Sequence, residues 1–323
     1  MGAVGPYTLL RVLGGSGTGG VHLARTDKGA RVVVRVVPPE FAADAGFRVR
    51  LRDEVARATA LRSPLVAAVV DADVDGDVAW VASEYLAAPS LRDVVEGRGP
   101  LAVPGVRQLG IGLAEALEQI HEAGLVHRGL DADTVLLTLD GPRVVGVGTG
   151  RATVATAAGR AGALMGAPGY LAPEQVVHGA GDTAADVFAL GSVLLYAATW
   201  REPFGPGDSA AVLYRVLHSD PDLGGVSRDV APVLAACLHR DPVRRPDPRS
   251  VRDVLTAAQA RAVAAAAEAP GRPSPARLPA RGRRASLVAG SAVLVALLAL
   301  AGADAAPARP HPAPPPSPAA VRS

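Results

Sequence analysis

The feature that most constrains the fold of this chain is a change of hydrophobic periodicity near Ser90. Residues 7–37 and 65–85 carry short runs rich in Val and Leu, separated by Gly or Asp turns, which is typical of β-strands. Residues 44–61 have helical spacing, and beyond Ser90 the spacing is mostly helical, most clearly over 104–123. A strand-rich first third followed by a helical remainder predicts an α+β fold.

The composition limits which kinds of site the chain can build. Of its 323 residues, 49% are hydrophobic and only 3% are aromatic, so the core must consist mainly of Ala, Val and Leu. The formal net charge is +2 and the arginines are dispersed, so no nucleic-acid partner is indicated. Cys237 is the only cysteine and the histidines lack metal-ligand spacing, so neither an intrachain disulfide nor a zinc site is expected. Lys28 is the only lysine.

The C-terminal part of the chain has the composition of a linker, a membrane span and a tail. Residues 261–285 are rich in Ala, Pro and Arg and cannot form a core, so we place a juxtamembrane linker there. We predict a single transmembrane helix at 286–304, because residues 287–303 lack charged side chains and would span about 26 Å as a helix. A buried or surface helix rich in Ala and Leu is the alternative interpretation of this stretch.

Basic residues orient the predicted span. Arg281, Arg283 and Arg284 lie immediately before it, and the positive-inside rule therefore places the preceding domain in the cytoplasm. The Pro-rich tail at 305–323 would lie outside the cell membrane. We expect a single-pass protein at the cell membrane.

A glycine-rich stretch, LGGSGTGGVHLA, opens the strand-rich part of the chain. It contains Gly14, Ser16 and Gly19 ahead of Val21, and an ordinary glycine-rich hairpin is the alternative interpretation. The strand VVVRVV then contributes Arg35.

Two further motifs join the strand-rich part to the helical part. The helical stretch RDEVARA contains Glu54. The stretch HEAGLVHRGLDADTVLL is the most informative in the chain. It contains His127, Arg128, Gly129, Asp131 and Thr134.

The helical part contains four more motifs in a fixed order. RVVGVGTGR carries Gly146, and GAPGYLAPEQ carries Ala167 and Glu174. ADVFALGSVLLY then carries Asp186, and HRDPVRRPDP carries Arg245.

Together, these segments are similar to the protein-kinase signature set over residues 7–258. The chain resembles a bacterial, Hanks-type serine/threonine protein kinase of the actinobacterial kind. The resemblance implies a bilobal kinase-like domain at 7–260, with a small β-rich N-lobe at about 7–86 that has one main helix. A large helical C-lobe is implied at about 90–260. A chance combination of motifs on an unrelated fold is the remaining alternative.

The resemblance implies a nucleotide cleft between the lobes. Its residues would be Gly14, Ser16, Gly19, Val21, Arg35 and Glu54. Arg35 stands where the family has a lysine held by the helix glutamate, here Glu54. We therefore expect an ion pair between Arg35 and Glu54, and a solvated helix face is the alternative interpretation of Glu54. A planar guanidinium on a longer stem does not put its charge where an ammonium would. We expect no bound metal, and ATP without magnesium is the only cofactor state left open.

The family's phosphoryl-transfer positions are altered. Gly129 stands where the family has the aspartate that accepts the substrate proton, and Asp131 where it has a lysine. Thr134 and Gly146 replace a metal-binding asparagine and a metal-binding aspartate. Ala167 replaces a threonine that usually contacts the aspartate of position 129.

The scaffold positions match the family. They are His127, Arg128, Glu174, Asp186 and Arg245. The resemblance implies that Asp186 caps the loop at His127 and Arg128, and that Arg245 pairs with Glu174.

This combination predicts a membrane-anchored pseudokinase, a cytoplasmic module that binds and regulates another protein, either a client or a true kinase. The alternative is a weakly active or unconventional ATP-dependent serine/threonine kinase that uses Asp131 or Asp133 for metal and Arg35 for phosphate. Three threonines of the implied activation segment are candidate phosphate acceptors, with Arg128 as their partner, and ordinary unphosphorylated loop threonines are the alternative interpretation. They are Thr149, Thr153 and Thr156.

Overall fold

The first lobe is built on a six-stranded antiparallel sheet. The computed structural model describes residues 2–14, 20–148, 167–179 and 181–268. The strand order in the sheet is β1-β2-β3-β4-β6-β5. The strands are β1 (Ala3–Val4), β2 (Tyr7–Gly14), β3 (Val21–Arg25), β4 (Arg31–Val36), β5 (Val69–Asp73) and β6 (Trp80–Glu84).

Two helices lie between β4 and β5. The short α1 covers Pro39–Ala42, and the main helix of the lobe, α2, covers Ala45–Ala60. The side chain of Asp44 caps α2 by accepting the backbone N–H groups of its first turn. The predicted N-lobe with one main helix is therefore confirmed.

The second lobe is mostly helical. In the part of this lobe that the structure describes, one small sheet pairs β7 (Val135–Thr138) with β8 (Gly141–Val144). Its helices are α3 (Leu91–Arg98), α4 (Val103–Glu122), α5 (Pro173–His178), α6 (Thr183–Thr199), α7 (Ser209–His218), α8 (Ala231–Cys237) and α9 (Pro248–Glu268). Two 3-10 turns cover Pro168–Tyr170 and Pro242–Arg244.

Helix α6 forms the centre of this lobe. Every residue from Ala185 to Ala197 is buried, which is expected of a helix that is apolar on all sides. Asp186 is the only charged side chain in that stretch and has no exposed surface. A charge buried in this way needs hydrogen-bond partners, and the partners of Asp186 belong to the candidate functional site.

Short backbone hydrogen bonds join the two lobes. The N–H of Ala67 donates to the carbonyl of Val144 at 2.9 Å, and the N–H of Val144 donates to the carbonyl of Leu65 at 2.8 Å. Arg143 of β8 also forms a two-pronged pair with Glu84, at the end of β6. The segment before β5 thus adds to the second lobe as if it were a short strand.

The last described helix passes the domain boundary that we placed at residue 260. Helix α9 continues to Glu268, although the sequence there lacks an apolar periodicity. This part of the helix is rich in Ala, which has the highest helix propensity of the amino acids. Within the described ranges, no helix is both long and apolar enough to cross a membrane. The span predicted at 286–304 lies outside these ranges and stays a prediction.

Candidate functional site

One face of the N-lobe sheet is turned away from the cleft. Ala24, Val32, Val34 and Trp80 form a small separate cluster on that outer face. Because side chains alternate along a strand, Arg35 lies on the opposite face, in register with Val21 of β3 and Val81 of β6.

The residues predicted for the nucleotide cleft are only partly described. Gly14 ends β2 and pairs in register with Val21, so the two lie at the base of the glycine-rich loop. Ser16 and Gly19 fall outside the described residues. Arg35 on β4 and Glu54 on α2 are both half-buried, and their ion pair stays a prediction.

Asp186 holds the loop that contains His127 and Arg128. One carboxylate oxygen accepts the N–H of Arg128 at 2.7 Å, and the other accepts the N–H of His127 at 2.8 Å. The second oxygen also lies 2.9 Å from Nε2 of His121 on α4. The expected cap on this loop is present.

Arg128 adopts a backbone conformation that is unusual for a residue with a side chain. Its φ is +56°, in the left-handed region, where a non-glycine residue is strained. The bond from its N–H to Asp186 holds this conformation, and its Nε donates to the carbonyl of Gly181 at 2.7 Å. Strain of this kind persists only where surrounding contacts compensate for it.

His127 connects the two positions where glycine replaces an aspartate. Its Nδ1 accepts the N–H of Gly129 at 3.2 Å, so Nε2 carries the proton and donates to the carbonyl of Val145 at 3.1 Å. Gly146 follows Val145 directly and has a φ of +94°. The structure therefore brings Gly129 and Gly146 to the same site.

Asp131 and Thr134 close a tight turn within the loop. Oδ1 of Asp131, a buried side chain, accepts the N–H groups of Asp133 at 3.0 Å and Thr134 at 2.8 Å. The hydroxyl of Thr134 accepts the N–H of Asp131 at 2.8 Å and lies 3.2 Å from the carbonyl of Gly129. Both polar side chains thus serve the shape of the loop.

The scaffold pair predicted between Arg245 and Glu174 is present. Arg245 Nη1 and Nη2 lie 2.6 and 2.8 Å from the two carboxylate oxygens of Glu174. The Arg245 side chain is fully buried, and its guanidinium lies over the ring of Phe188. This pair joins the Pro242–Arg244 turn to α5.

Comparison with known proteins agrees with this geometry. The family model described as "Protein kinase domain" matches residues 7–255. The chain belongs to the protein kinase family.

The chain is also similar to individual serine/threonine-protein kinases. It is 40% identical to AfsK of Streptomyces coelicolor over 78% of this chain, and 39% identical to PkwA of Thermomonospora curvata over 76%. It is 31% identical to PknB of Mycolicibacterium smegmatis over 79%. The matches span only 32%, 33% and 42% of those proteins, respectively.

A solved structure supports the fold. The kinase domain of PknI from Mycobacterium tuberculosis superposes with a TM-score of 0.58 and covers 79% of this chain and 97% of that one. At 23% identity, the likeness supports a bilobal protein-kinase fold and nothing finer.

The kinase family uses magnesium with its nucleotide, but the residues present do not fit that ion. Glycine at position 146 offers no side-chain oxygen, and the hydroxyl of Thr134 is engaged inside the loop. Among the described residues, no three His, Cys, Asp or Glu side chains are grouped in a way that could hold a metal.

Asp133, a candidate substitute ligand, is paired with Arg92 at the start of α3. Arg92 Nε lies 3.0 Å from Asp133 Oδ2, and its Nη1 lies 2.9 Å from Glu202. Burial opposes the charged form of Arg92, but the hydrogen bonds to Glu202 and Asp133 outweigh burial and raise the pKa of the guanidinium. The sequence gives no signal for this cluster, because Asp133 and Glu202 lie 41 and 110 residues from Arg92 along the chain.

Ala167 and Gly129 line one small space between the loop and the Pro168–Tyr170 turn. Tyr170 lines the same space, and its buried hydroxyl has no hydrogen-bond partner among the described residues. Burial raises the pKa of this hydroxyl, so it stays neutral. The family's threonine and aspartate would face each other here, and both are missing.

The role of Asp186 can be tested by substitution. Asp186→Ala leaves two buried N–H groups without acceptors, and we expect the free energy of unfolding to fall by about 3 kcal/mol. Urea denaturation measures this loss. Asp182→Ala, which removes the exposed cap of the same helix, is the matched control and should cost about 1 kcal/mol. Equal losses in the two variants would contradict the organising role of Asp186.

Proposed function

We propose that this chain is a pseudokinase, a kinase-fold module that binds and regulates another protein without transferring phosphate at a useful rate. The observation that carries the proposal is the pair Gly129 and Gly146, which His127 connects within one site. Phosphoryl transfer relies on positioned charge and metal rather than on covalent chemistry by the protein. Glycine can neither accept the hydroxyl proton nor coordinate the metal.

The neighbouring polar groups support the same conclusion. Thr134 and Asp131 are engaged in the turn of the loop, and Asp133 is paired with Arg92. Arg35 provides a positive charge but not the compact ammonium of the family lysine. ATP without magnesium is therefore the nucleotide state that this cleft suits best.

The partner in this proposal is a protein, either a client or an active kinase. The buried scaffold, including the Arg245–Glu174 ion pair, maintains the shape of the surfaces outside the cleft whether or not phosphate is transferred. Binding of a partner protein to these surfaces requires only the scaffold.

The proposal is tested with the full chain purified in mild detergent. ATP with magnesium should raise Tm no more than ATP alone, and radiolabelled ATP should label no substrate protein above background. The triple variant Gly129→Asp, Thr134→Asn, Gly146→Asp is the positive control, because it returns the family's base and metal ligands to the same fold. It should gain a magnesium-dependent rise in Tm.

Robust labelling by the wild-type chain, or a magnesium-dependent rise in its Tm as large as that of the triple variant, would overturn the proposal. The second candidate is a weakly active serine/threonine kinase. It is favoured by the relatives, which are named serine/threonine-protein kinases. In that case Asp131 would bind metal.

Asp131→Asn separates the two candidates. The amide oxygen of asparagine can still accept the N–H groups of Asp133 and Thr134, so we expect unchanged stability and unchanged, background-level labelling. Asp133→Asn is the matched control on the same loop. If the wild type labels a substrate and Asp131→Asn abolishes that labelling at unchanged Tm, the second candidate is correct.

We also propose that residues 286–304 anchor the module in the cell membrane with the kinase-like domain in the cytoplasm. The uncharged stretch and the arginines before it support this orientation. We expect the full chain to sediment with membranes after an alkaline wash, and a chain truncated after residue 268 to remain in the supernatant. Sedimentation of both, or of neither, would refute the anchor.

A further inference from the structure

A groove of about 580 Å³ lies where the end of α2, from the first lobe, meets the end of α4, from the second. It is lined by Arg57, in the last turn of α2, and by Arg62, just after that helix. Apolar side chains line it as well, among them Leu61, Pro64 and Ala123. The volume is within the range of sites that bind ligands, and the groove shares no residue with the candidate functional site.

Backbone carbonyls hold both guanidinium groups of the groove in place. Nη1 of Arg57 donates to the carbonyl of Gly124, just after α4, at 3.0 Å. Nη1 of Arg62 donates to the carbonyls of Thr59 and Leu61. Among the described residues, neither arginine makes a hydrogen bond through Nε or Nη2. These two nitrogens form the edge of a guanidinium that binds a carboxylate through two parallel hydrogen bonds.

The groove has a positive charge that the described part of the chain does not neutralise. Arg52, on the same helix, forms an ion pair with Asp75, but Arg57 and Arg62 form none with any described carboxylate. Glu122 is the one acidic side chain among the described residues that line the groove. Two guanidinium groups against one carboxylate favour a ligand with negative charge.

The segments of the sequence outside the described ranges carry almost no acidic side chains. Residues 15–19, 149–166 and 269–303 contain no Asp or Glu, and residues 304–323 contain only Asp304. The linker at 269–285 instead contains five arginines, which the arginines of the groove would repel. These segments do not match the charge of the groove, so its occupant comes from another molecule.

We propose that this groove binds an acidic, extended segment of a partner protein, whose carboxylates pair with Arg57 and Arg62 while an apolar side chain packs on the apolar lining. Positions 57 and 62 are separated by about 7 Å along the helix axis. Alternate residues of an extended strand are separated by about the same distance, so two carboxylates at alternate positions match the two guanidinium groups. The proposal rests on the proposed function, because the occupant is the protein that this module binds.

Fluorescence anisotropy with the full chain in mild detergent tests the proposal. The probe is a short fluorescein-labelled peptide in which glutamate alternates with leucine, and the control peptide has glutamine in place of every glutamate. We expect the wild-type chain to bind the acidic peptide and not the control peptide. Binding should weaken as salt is added, since exposed charges are screened.

Substitutions in the groove provide the second arm. Arg57→Gln and Arg62→Gln should each weaken binding of the acidic peptide about fivefold, and the double variant should bind more weakly than either. A glutamine amide can still donate to the same carbonyls, so Tm should stay close to that of the wild type. Arg50→Gln is the matched control, because Arg50 is an exposed arginine of α2 outside the groove. Glu122→Gln should strengthen binding about twofold, because it removes the negative charge of the groove.

Equal binding of the acidic peptide by the wild type and the double variant, or no binding by either, would overturn the proposal. Self-association of the chain that the double variant abolishes would overturn it in favour of a second copy as the occupant. Tighter binding of phosphatidylserine in mixed micelles than of the acidic peptide, lost in the double variant, would overturn it in favour of a membrane surface. None of these results changes substrate labelling or the effect of magnesium on Tm, so failure of this proposal is distinguishable from failure of the proposed function.

Discussion

The cleft of this protein depends on one buried carboxylate. Asp186 lies on the central helix of the C-lobe and holds the N–H groups of two consecutive residues, His127 and Arg128. Without that acceptor, the left-handed backbone of Arg128 would be strained and uncompensated. The ring of His127 in turn is hydrogen-bonded to both Gly129 and Val145, the residue that follows β8.

This arrangement explains how the kinase scaffold is maintained with glycine at positions 129 and 146. The side chains that hold the fold are buried and hydrogen-bonded to the backbone or to each other. Their contribution to stability therefore does not require a bound substrate. Gly129 and Gly146 contribute no side chain to this network, which is formed by Asp186, His127, Arg245 and Glu174.

Much of this could be predicted from the sequence, because motif order fixes the topology of the family. The strand-to-helix change at Ser90, the cap by Asp186 and the pair of Arg245 with Glu174 all follow from local motifs. The pairing of Asp133 with Arg92 could not be predicted, since it joins distant segments whose exposed charges have many possible partners. Helix α9 extends beyond the domain boundary predicted at residue 260, because the helix propensity of its Ala-rich sequence sustains the helix where the apolar periodicity has ended.

The backbone at Gly146 restricts which residues can replace it. With φ at +94°, a residue with a side chain would be strained by about 1–3 kcal/mol there unless new contacts held it. Any substitution that puts a metal ligand at position 146 meets this strain in addition to the change of side chain. The coordination energy of such a ligand would first have to offset the cost of its own backbone.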